Sequence, residues 1–373
     1  MKNLKYVMLF LAVATILSAG EMKRQFDVKP GGYLDVDINI GGAIHVSGWS
    51  KDQAEIIVNF KGRELDEDVW IDIDQHGNDV TVNGGAERNS NERLDLEIKV
   101  PSKYNIKLST MGGPLSVNGV EGKLDGETMG GKISLKNLKG KVKFSTMGGS
   151  IELRDSDVDG KVSTMGGEVL FADVIGDVDG SSMGGNVIYK NVKSRDGKIS
   201  SGKAVTISTM GGEINVDEAL SGADVSTMGG NIHVNKAAEF VKANTMGGTI
   251  EIEDIDGWVK ATTMGGDVIV NMTGNPSKGR RDVNLSSMGG DILLTLPDGI
   301  SADFDIRLTY TRRSSQDFKI ISDFPIKIDE DKDWNYNDGD PRKVISGTGE
   351  INGGKNLIRI STINGDITIK KGK

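Results

Sequence analysis

The chain has 373 residues, a formal net charge of −9 and no cysteine. The acidic balance argues against nucleic acid as a partner, because phosphate binding needs a basic surface. The lack of cysteine excludes disulfides, thiolate metal sites and a lipidated N-terminal cysteine. Glycine is frequent, with 51 residues, and aromatic residues make up only 5%, which is unusual for an ordinary globular domain.

Residues 1–20 have the features of a secretory signal peptide. Lys2 and Lys5 form a basic start, and an apolar run at 6–19 is too short for a comfortable membrane span. Small residues at 18–20 supply a cleavage site. The sequence therefore predicts an exported protein that is periplasmic, on the cell surface or extracellular, with no transmembrane segment in the mature chain. An uncleaved membrane anchor is the alternative.

Residues 21–103 are predicted to form β-strands that do not repeat. The alternation of apolar and charged residues is clearest at 94–100, and period-two patterning of this kind indicates strands with one buried face. Glycine pairs such as Gly41-Gly42 mark turns. A stack of repeats needs an end that protects its core, so we expect this segment to be an N-terminal β cap.

A pentapeptide, Ser-Thr-Met-Gly-Gly or a close variant, recurs ten times within residues 104–295. Most copies stand 18 residues apart, and a fixed short period is the signature of stacked repeats. One gap is 27 residues long and another is 24. We predict that the methionines of the ten copies mark a structural corner motif: Met111, Met129, Met147, Met165, Met183, Met210, Met228, Met246, Met264 and Met288.

Each repeat is numbered here from its methionine as position 0. Apolar residues recur at +4, +6, +9, +13 and +15, as in Ile232, Val234, Ala237, Val241 and Ala243. Corners are expected near +7 and +8, and a bend near a frequent glycine at +11. Helix is excluded by the glycine density and the period-two alternation. The sequence thus predicts an all-β chain with a parallel β-solenoid of about ten 18-residue coils, stacked about 4.8 Å apart.

The position of the corner decides where the methionines point. The threonine at −1 shares its phase with the buried −3 and −5 positions, whereas the methionine shares its phase with +4 and +6. A corner at the Thr–Met bond directs the methionine inward, and a corner at Gly-Gly directs it outward as an apolar stripe prone to oxidation. We expect inward packing, with the glycines placed where the coil needs positive φ or a close backbone approach.

Residues 296–373 are predicted to form a C-terminal β segment that ends in a degenerate repeat, with Ile363 in the methionine place. The ordered stretches LPDGISADFDIRLTY, GTGEINGG and IRISTINGDITI, together with NIGGAIHVSGW at 39–49, resemble the bacterial putative-adhesin domain family, a domain of unknown function with β-solenoid repeats. The resemblance covers most of the mature chain. It implies an exported protein of the cell envelope with no established catalytic residues.

Few residues suggest chemistry. His45, His76 and His233 share no metal-like spacing, and His233 at +5 is expected on the surface. The stretch 155–160 mimics the start of a calcium loop, but Gly166 stands where the twelfth-place glutamate is required. We therefore predict no catalytic residue, no cofactor and no metal site.

The two longer gaps insert polar residues around 193–198 and 274–281, and an acidic run follows at 329–333. Loops on a rigid scaffold are common binding sites, although plain insertions and a solvated loop are the simpler interpretation. The function predicted is that of a non-enzymatic envelope or surface protein, adhesin-like or a scaffold, with a polysaccharide or protein partner. The alternatives are a carbohydrate-active solenoid enzyme, and ice binding if the Ser/Thr columns face solvent on a flat side.

Overall fold

The computed structural model describes residues 16–18, 20–59, 69–86, 93–193, 204–314, 317–336 and 340–372. Over these residues the chain is all-β, with 31 strands and no helix. Accordingly, no helix long and apolar enough to cross a membrane is found among them. The predicted signal peptide lies almost wholly outside the described residues. The chain divides into two compact units, Met1–Phe144 and Ser145–Lys373, which are described in turn.

The first unit contains thirteen strands within its described residues, the last of which ends two residues beyond its boundary. They are β1 (Ile16–Ser18), β2 (Glu21–Asp27), β3 (Tyr33–Ile38), β4 (Ile44–Trp49), β5 (Gln53–Asn59), β6 (Val69–His76), β7 (Asp79–Ala86), β8 (Asp95–Pro101), β9 (Asn105–Thr110), β10 (Leu115–Asn118), β11 (Glu121–Thr128), β12 (Ile133–Lys136) and β13 (Lys139–Thr146).

Parallel and antiparallel pairs are both present in the first unit. Strand β3 pairs in parallel with β7 and β9, and β4 pairs in parallel with β8 and β10. The pairs β2–β5, β5–β8 and β6–β7 are antiparallel. Strand β4 aligns Ile44 with Leu115, so Ile40 stands at the position equivalent to Met111. An early coil with Ile-Gly-Gly at its corner therefore precedes the repeats found from the sequence.

One acidic side chain of the first unit is almost completely buried. Glu55 accepts hydrogen bonds from Gln25 Nε2 at 2.6 Å and Lys99 Nζ at 3.0 Å, and its carboxylate lies 2.8 Å from Lys23 Nζ. Burial raises the pKa of Glu55, but the bonds from the two lysines and the glutamine outweigh burial and lower this pKa to about 2. The carboxylate is thus held in its charged form by its neighbours.

The second unit contains eighteen strands in the part of the chain that the structure describes. They are β14 (Ile151–Thr164), β15 (Val169–Ile175), β16 (Val178–Ser182), β17 (Val187–Lys193), β18 (Val205–Ser208), β19 (Ile214–Ala219), β20 (Ala223–Ser226), β21 (Ile232–Asn244), β22 (Ile250–Thr262), β23 (Val268–Met272), β24 (Val283–Ser286), β25 (Ile292–Leu296), β26 (Ala302–Thr311), β27 (Ile320–Ser322), β28 (Lys327–Glu330), β29 (Arg342–Ile351), β30 (Asn356–Ile363) and β31 (Ile367–Lys371).

Repeat strands of the second unit pair in parallel with the equivalent strands of the next repeat. Ile232 pairs with Ile214 on one side and with Ile250 on the other, a step of one 18-residue period. The 27-residue gap leaves this register intact, because Val187 still pairs with Ile214. The 24-residue gap also leaves the register intact, because Val268 pairs with Ile292. Equivalent residues of successive repeats therefore stand side by side.

An antiparallel insertion precedes the last coil of the second unit. Strand β26 pairs antiparallel with β29, and so does β28. The chain then returns to parallel pairing, with β30 on β24 and β31 on β25. This register aligns Ile292 with Ile367, so Ile363 occupies the position that Met288 holds in the preceding repeat.

The buried side chains of the repeats come from the positions that the sequence indicates. Ile232, Val234, Ala237, Val241 and Ala243 are each at most 2% exposed. The predicted inward positions and the all-β class are confirmed. The sheet is mixed rather than wholly parallel, because segments outside the 18-residue period lack an equivalent neighbour and pair with adjacent strands of the chain. The segment boundaries predicted at residues 103 and 295 stay predictions.

Candidate functional site

The Met-Gly-Gly residues form a bend between two strands in every repeat. A buried Ser or Thr at −1 is the last residue of the strand before the bend or directly follows it, and the methionine that comes next is 40–51% exposed in all ten copies. The expectation that the methionines point inward is therefore wrong. The side-chain phase changes between the methionine and the first glycine, so both residues face outward, while the small hydroxyl side chain at −1 fills the inside of the corner.

The hydroxyl at −1 links each coil to the one before it. Thr227 Oγ1 donates to Gly212 O at 3.0 Å and accepts a hydrogen bond from Gly230 N at 3.3 Å. Only Ser and Thr offer a donor and an acceptor on one small side chain. The same pair of bonds recurs in the second unit at Thr164, Ser182, Thr209, Thr245, Thr263 and Ser287.

The two glycines of the bend have different roles. A Cβ atom on Gly230, the second glycine, would lie 2.1 Å from Gly212 O, which is far inside van der Waals contact. A Cβ atom on Gly229, the first glycine, would meet nothing closer than 3.7 Å. Neither residue has a left-handed φ. Close approach of successive coils, and not positive φ, therefore explains the second glycine.

Successive corners are held in register through the methionine backbone. Met228 N donates to Met210 O at 3.2 Å, and Met246 N donates to Met228 O at 3.2 Å. The backbones of neighbouring methionines therefore stand about one strand spacing apart, near 4.8 Å. In the second unit these residues form what we call the methionine column: Met147, Met165, Met183, Met210, Met228, Met246, Met264 and Met288. Within the first unit, Met111 and Met129 are exposed to a similar extent.

Polar residues border the methionine column along the chain. Position −2 is mostly serine, and none of these side chains is buried. Position +3 is varied and also outward, and its side chains cap the following repeat: Asn231 Oδ1 accepts from Thr249 N at 2.9 Å, and Asp267 Oδ1 accepts from Asp291 N at 2.8 Å. The residues at +3 in the second unit are Ser150, Glu168, Asn186, Glu213, Asn231, Thr249, Asp267 and Asp291.

The structure brings one histidine together with acidic side chains. His233 Nδ1 lies 3.3 Å from Glu251 Oε2, and its Nε2 lies 3.3 Å from Glu253 Oε1. Their ligand atoms lie within 4.8 Å of one another, so these three residues could hold a cation. The 18-residue period could have revealed this group, because His233 and Glu251 both stand at +5. His45 and His76 do not join it.

The other acidic stretches are explained by the fold. The calcium-loop mimic lies inside strand β14, where Val158 is completely buried and Asp155 takes a left-handed turn with φ of 49°. A strand cannot wrap its side chains around a cation as a calcium loop does. Within the acidic run at 329–333, Asp329 forms an ion pair with Lys327 at 2.6 Å and is well exposed.

The two longer gaps insert polar segments around 193–198 and 274–281. The stretch 194–203 lies outside the described residues. Among the described residues, Tyr189 and Leu220 line part of a cavity of about 310 Å³. In the second insertion, Arg281 is 1% exposed and its guanidinium donates to the carbonyls of Thr273, Asn275 and Lys278 and to Asp256. That loop is closed around its own arginine, which indicates a structural role.

A shallow groove of about 590 Å³ crosses the +7 and +8 positions of the second unit. Asp217, Glu218, Glu253 and Asp254 line it, together with amide and lysine side chains. These carboxylates were not singled out from the sequence. They face an open surface, so they combine charge with free access from solvent.

Comparisons with known proteins give distant likeness only. No protein-family model matches the chain, and no curated protein matches it. A putative cell adhesion protein from Clostridium sporogenes ATCC 15579 is 10% identical, and the alignment covers 94% of this chain and 100% of that one with a TM-score of 0.17. A putative adhesin from Bacteroides fragilis NCTC 9343 is 12% identical over 95% and 98% of the two chains, with a TM-score of 0.23. A putative lipid binding protein from Parabacteroides distasonis ATCC 8503 is 10% identical over 95% and 97%, with a TM-score of 0.23.

Proposed function

We propose that this chain is an exported, non-enzymatic scaffold of the cell envelope or surface. In this proposal the repeats form a coiled parallel β-solenoid whose corners present the methionine column to a partner. The observation that supports it most is the exposure of the column, 40–51% at every methionine. Large exposed apolar patches on soluble proteins commonly mark interaction sites, and a patch built on stacked strands is rigid before it binds.

Binding to envelopes tests this proposal directly. The purified protein is mixed with envelopes isolated from the producing bacterium, and the bound fraction is measured by sedimentation. A triple variant, Met210→Gln, Met228→Gln and Met246→Gln, should bind several-fold less, because it replaces apolar contact with amide groups. A matched variant, Asn231→Ala and Thr249→Ala, changes the neighbouring outward column and should bind like the natural protein. Equal binding by all three proteins would show that the column is not the contact surface.

Export is tested separately from binding. Fractionation of the producing cell should recover the protein outside the cytoplasm, with a mature N-terminus near residue 20 or 21. Recovery of the full-length chain from the cytoplasm would contradict the proposal. Recovery with intact residues 1–20 in the membrane fraction would instead support the uncleaved anchor.

A second candidate is a carbohydrate-active enzyme that uses the acidic groove. Glycoside hydrolysis needs a pair of carboxylates flanking the substrate, and Asp217 and Glu253 are among the groove residues that offer them. Sugar-binding sites often use a free aromatic ring on which the sugar stacks. Phe240 and Trp258 instead stack on each other, with ring centroids 5.1 Å apart, and the guanidinium of Arg280 lies 4.9 Å from the ring centre of Trp258. Failure to release any product from a broad panel of polysaccharides would remove this candidate.

Ice binding receives less support from the geometry. The proposal requires Ser and Thr hydroxyls on a flat outward face, but the hydroxyls at −1 are buried and donate to glycine carbonyls of the previous coil. Of the two hydroxyl positions of the motif, −1 and −2, only −2 has side chains that are not buried.

A further inference from the structure

The methionine column is unusual because its residues face outward and yet are the same in every repeat of the second unit. All eight repeats of the second unit carry methionine at position 0, while the outward residues at +3 include serine, threonine, asparagine, aspartate and glutamate. The repeats have thus diverged at the surface positions beside the column. An apolar contact alone does not require methionine, since leucine offers a similar area. The thioether sulfur is what distinguishes methionine from the other apolar residues.

The spacing of the column suits a small cation held between two sulfurs. Backbone bonds from Met210 N to Met183 O, at 3.1 Å, and from Met228 N to Met210 O, at 3.2 Å, fix neighbouring methionines one strand step apart. That step is about 4.8 Å. Zinc–thiolate bonds are about 2.3 Å long, and a two-coordinate ion with bonds of about that length spans about 4.6 Å between sulfurs. The three rotatable bonds of methionine allow the small adjustment that remains.

The chemistry of the ligands selects the ion. Thioethers are soft ligands that favour Cu(I) and similar ions over hard cations. The chain has no cysteine, so methionine sulfur is its softest donor. The acidic residues at +3, among them Glu168, Glu213 and Asp267, lie three residues beyond the column methionines and add negative potential that attracts a cation to this face.

We propose that the methionine column binds soft monovalent cations of the Cu(I) and Ag(I) class, each ion held between the thioether sulfurs of successive repeats. The inference rests on the proposed function only in assigning binding to the same exposed face. It goes beyond that function by naming a ligand class that needs no other protein. The group of His233, Glu251 and Glu253 offers nitrogen and oxygen ligands, which suit harder ions, and takes no part.

Silver is the probe, because Ag(I) needs no reductant in solution. The full chain is labelled with [methyl-¹³C]methionine and titrated with silver nitrate in chloride-free buffer, and the methyl resonances are followed by NMR. The column resonances should shift and should saturate at no more than about one ion per two methionines. Met272 is 1% exposed, so its resonance should stay in place as an internal control. Magnesium nitrate at the same concentration should shift none of them.

A leucine variant separates sulfur chemistry from apolar area. In the triple variant Met210→Leu, Met228→Leu and Met246→Leu, silver should bind at least tenfold more weakly at the altered repeats, and the matched variant Met272→Leu should bind like the natural protein. Circular dichroism checks that each variant is folded. Absence of column shifts, or equal silver uptake by the triple variant, would overturn the proposal.

The same leucine variant keeps the inference distinct from the proposed scaffold function. Leucine preserves the apolar surface, so envelope binding should survive in this variant while silver binding is lost. Silver binding by a protein that does not bind envelopes would leave the metal inference standing and remove the scaffold proposal. Envelope binding without any silver response would do the reverse.

Discussion

The second glycine of each corner should be the least replaceable residue of the repeat. In Gly230→Ala the new Cβ atom would lie 2.1 Å from Gly212 O and 2.4 Å from Gly212 C. Backbone atoms of the neighbouring coil would have to move by more than 1 Å to reach ordinary contact. Gly212 and Gly230 are both hydrogen-bonded to the hydroxyl of Thr227. The two backbones therefore cannot move apart without weakening these two hydrogen bonds.

The expected loss of stability follows from these contacts. Overpacking of a tight interior costs about 1–3 kcal/mol, and weakening the two hydrogen bonds of Thr227 adds about 1 kcal/mol each. Gly230→Ala should therefore lower the free energy of unfolding by roughly 3–5 kcal/mol. Gly229→Ala is the matched control, because its Cβ atom would be at least 3.7 Å from any neighbour. It should be neutral, or stabilising by up to about 1 kcal/mol through the unfolded state.

Urea unfolding followed by circular dichroism compares the two variants. Repeat arrays can unfold in parts, so hydrogen exchange of the amides in the adjacent repeats is measured alongside. The larger loss of protection should fall on the repeats that contain Thr227 and Thr209. Equal stability of Gly230→Ala and Gly229→Ala would refute the close approach of the two coils at this corner.

Three further outcomes are expected from other contacts. Thr245→Val should cost about 1–3 kcal/mol, because a buried carbonyl and a buried amide lose their partner, whereas Thr245→Ser should cost clearly less in the same unfolding assay. The pKa of Glu55 in the folded protein, about 2, lies below its ordinary value of 4.5. The contribution of Glu55 to the stability of the folded protein is therefore complete above pH 4.5 and is lost as the pH falls toward 2. Glu55→Gln should flatten this acid dependence, and an unchanged pH profile of unfolding would contradict the assignment. Arg281→Met should open the loop at 274–281 to limited proteolysis, and Arg280→Met, on an exposed neighbour, should leave the cleavage rate unchanged.

The sequence predicts most of the repeat architecture because its period is visible in single residues. Apolar residues at +4 and +6 and small or apolar ones at +9 place the core correctly, as Ile232 and Ala237 show. The direction of the methionines could not be predicted, because the phase argument allowed two corner positions. The deciding factor is the hydroxyl at −1, which satisfies backbone groups inside the corner and so takes the inward place.

Sites formed by side chains from different repeats are harder to predict from the sequence than the core positions. His233 meets Glu251 only because the parallel register places +5 beside +5. The carboxylates of the groove come in the same way from two repeats that have one repeat between them. An early coil around Ile40 escaped notice because it lacks methionine. These features follow from strand register, which a search for motifs along the chain does not test.

The methionines could be required by the corner itself or by the surface that they present to solvent, and the last coil distinguishes these two explanations. Thr362 makes the same inward bond, to Gly290 O at 2.8 Å, yet Ile363 replaces methionine where strand β26 lies alongside and Thr309 pairs with it. This corner differs at the next residue, since Asn364 has a left-handed φ of 54° where the Met-Gly-Gly corners have glycine. Its position 0 accepts isoleucine, and methionine is retained at the positions that face solvent. We expect Met246→Ile to change the free energy of unfolding by no more than about 0.5 kcal/mol and to remove the silver response of that repeat. Marked destabilisation would instead show that the corner itself requires methionine, and the argument for a ligand would lose its basis.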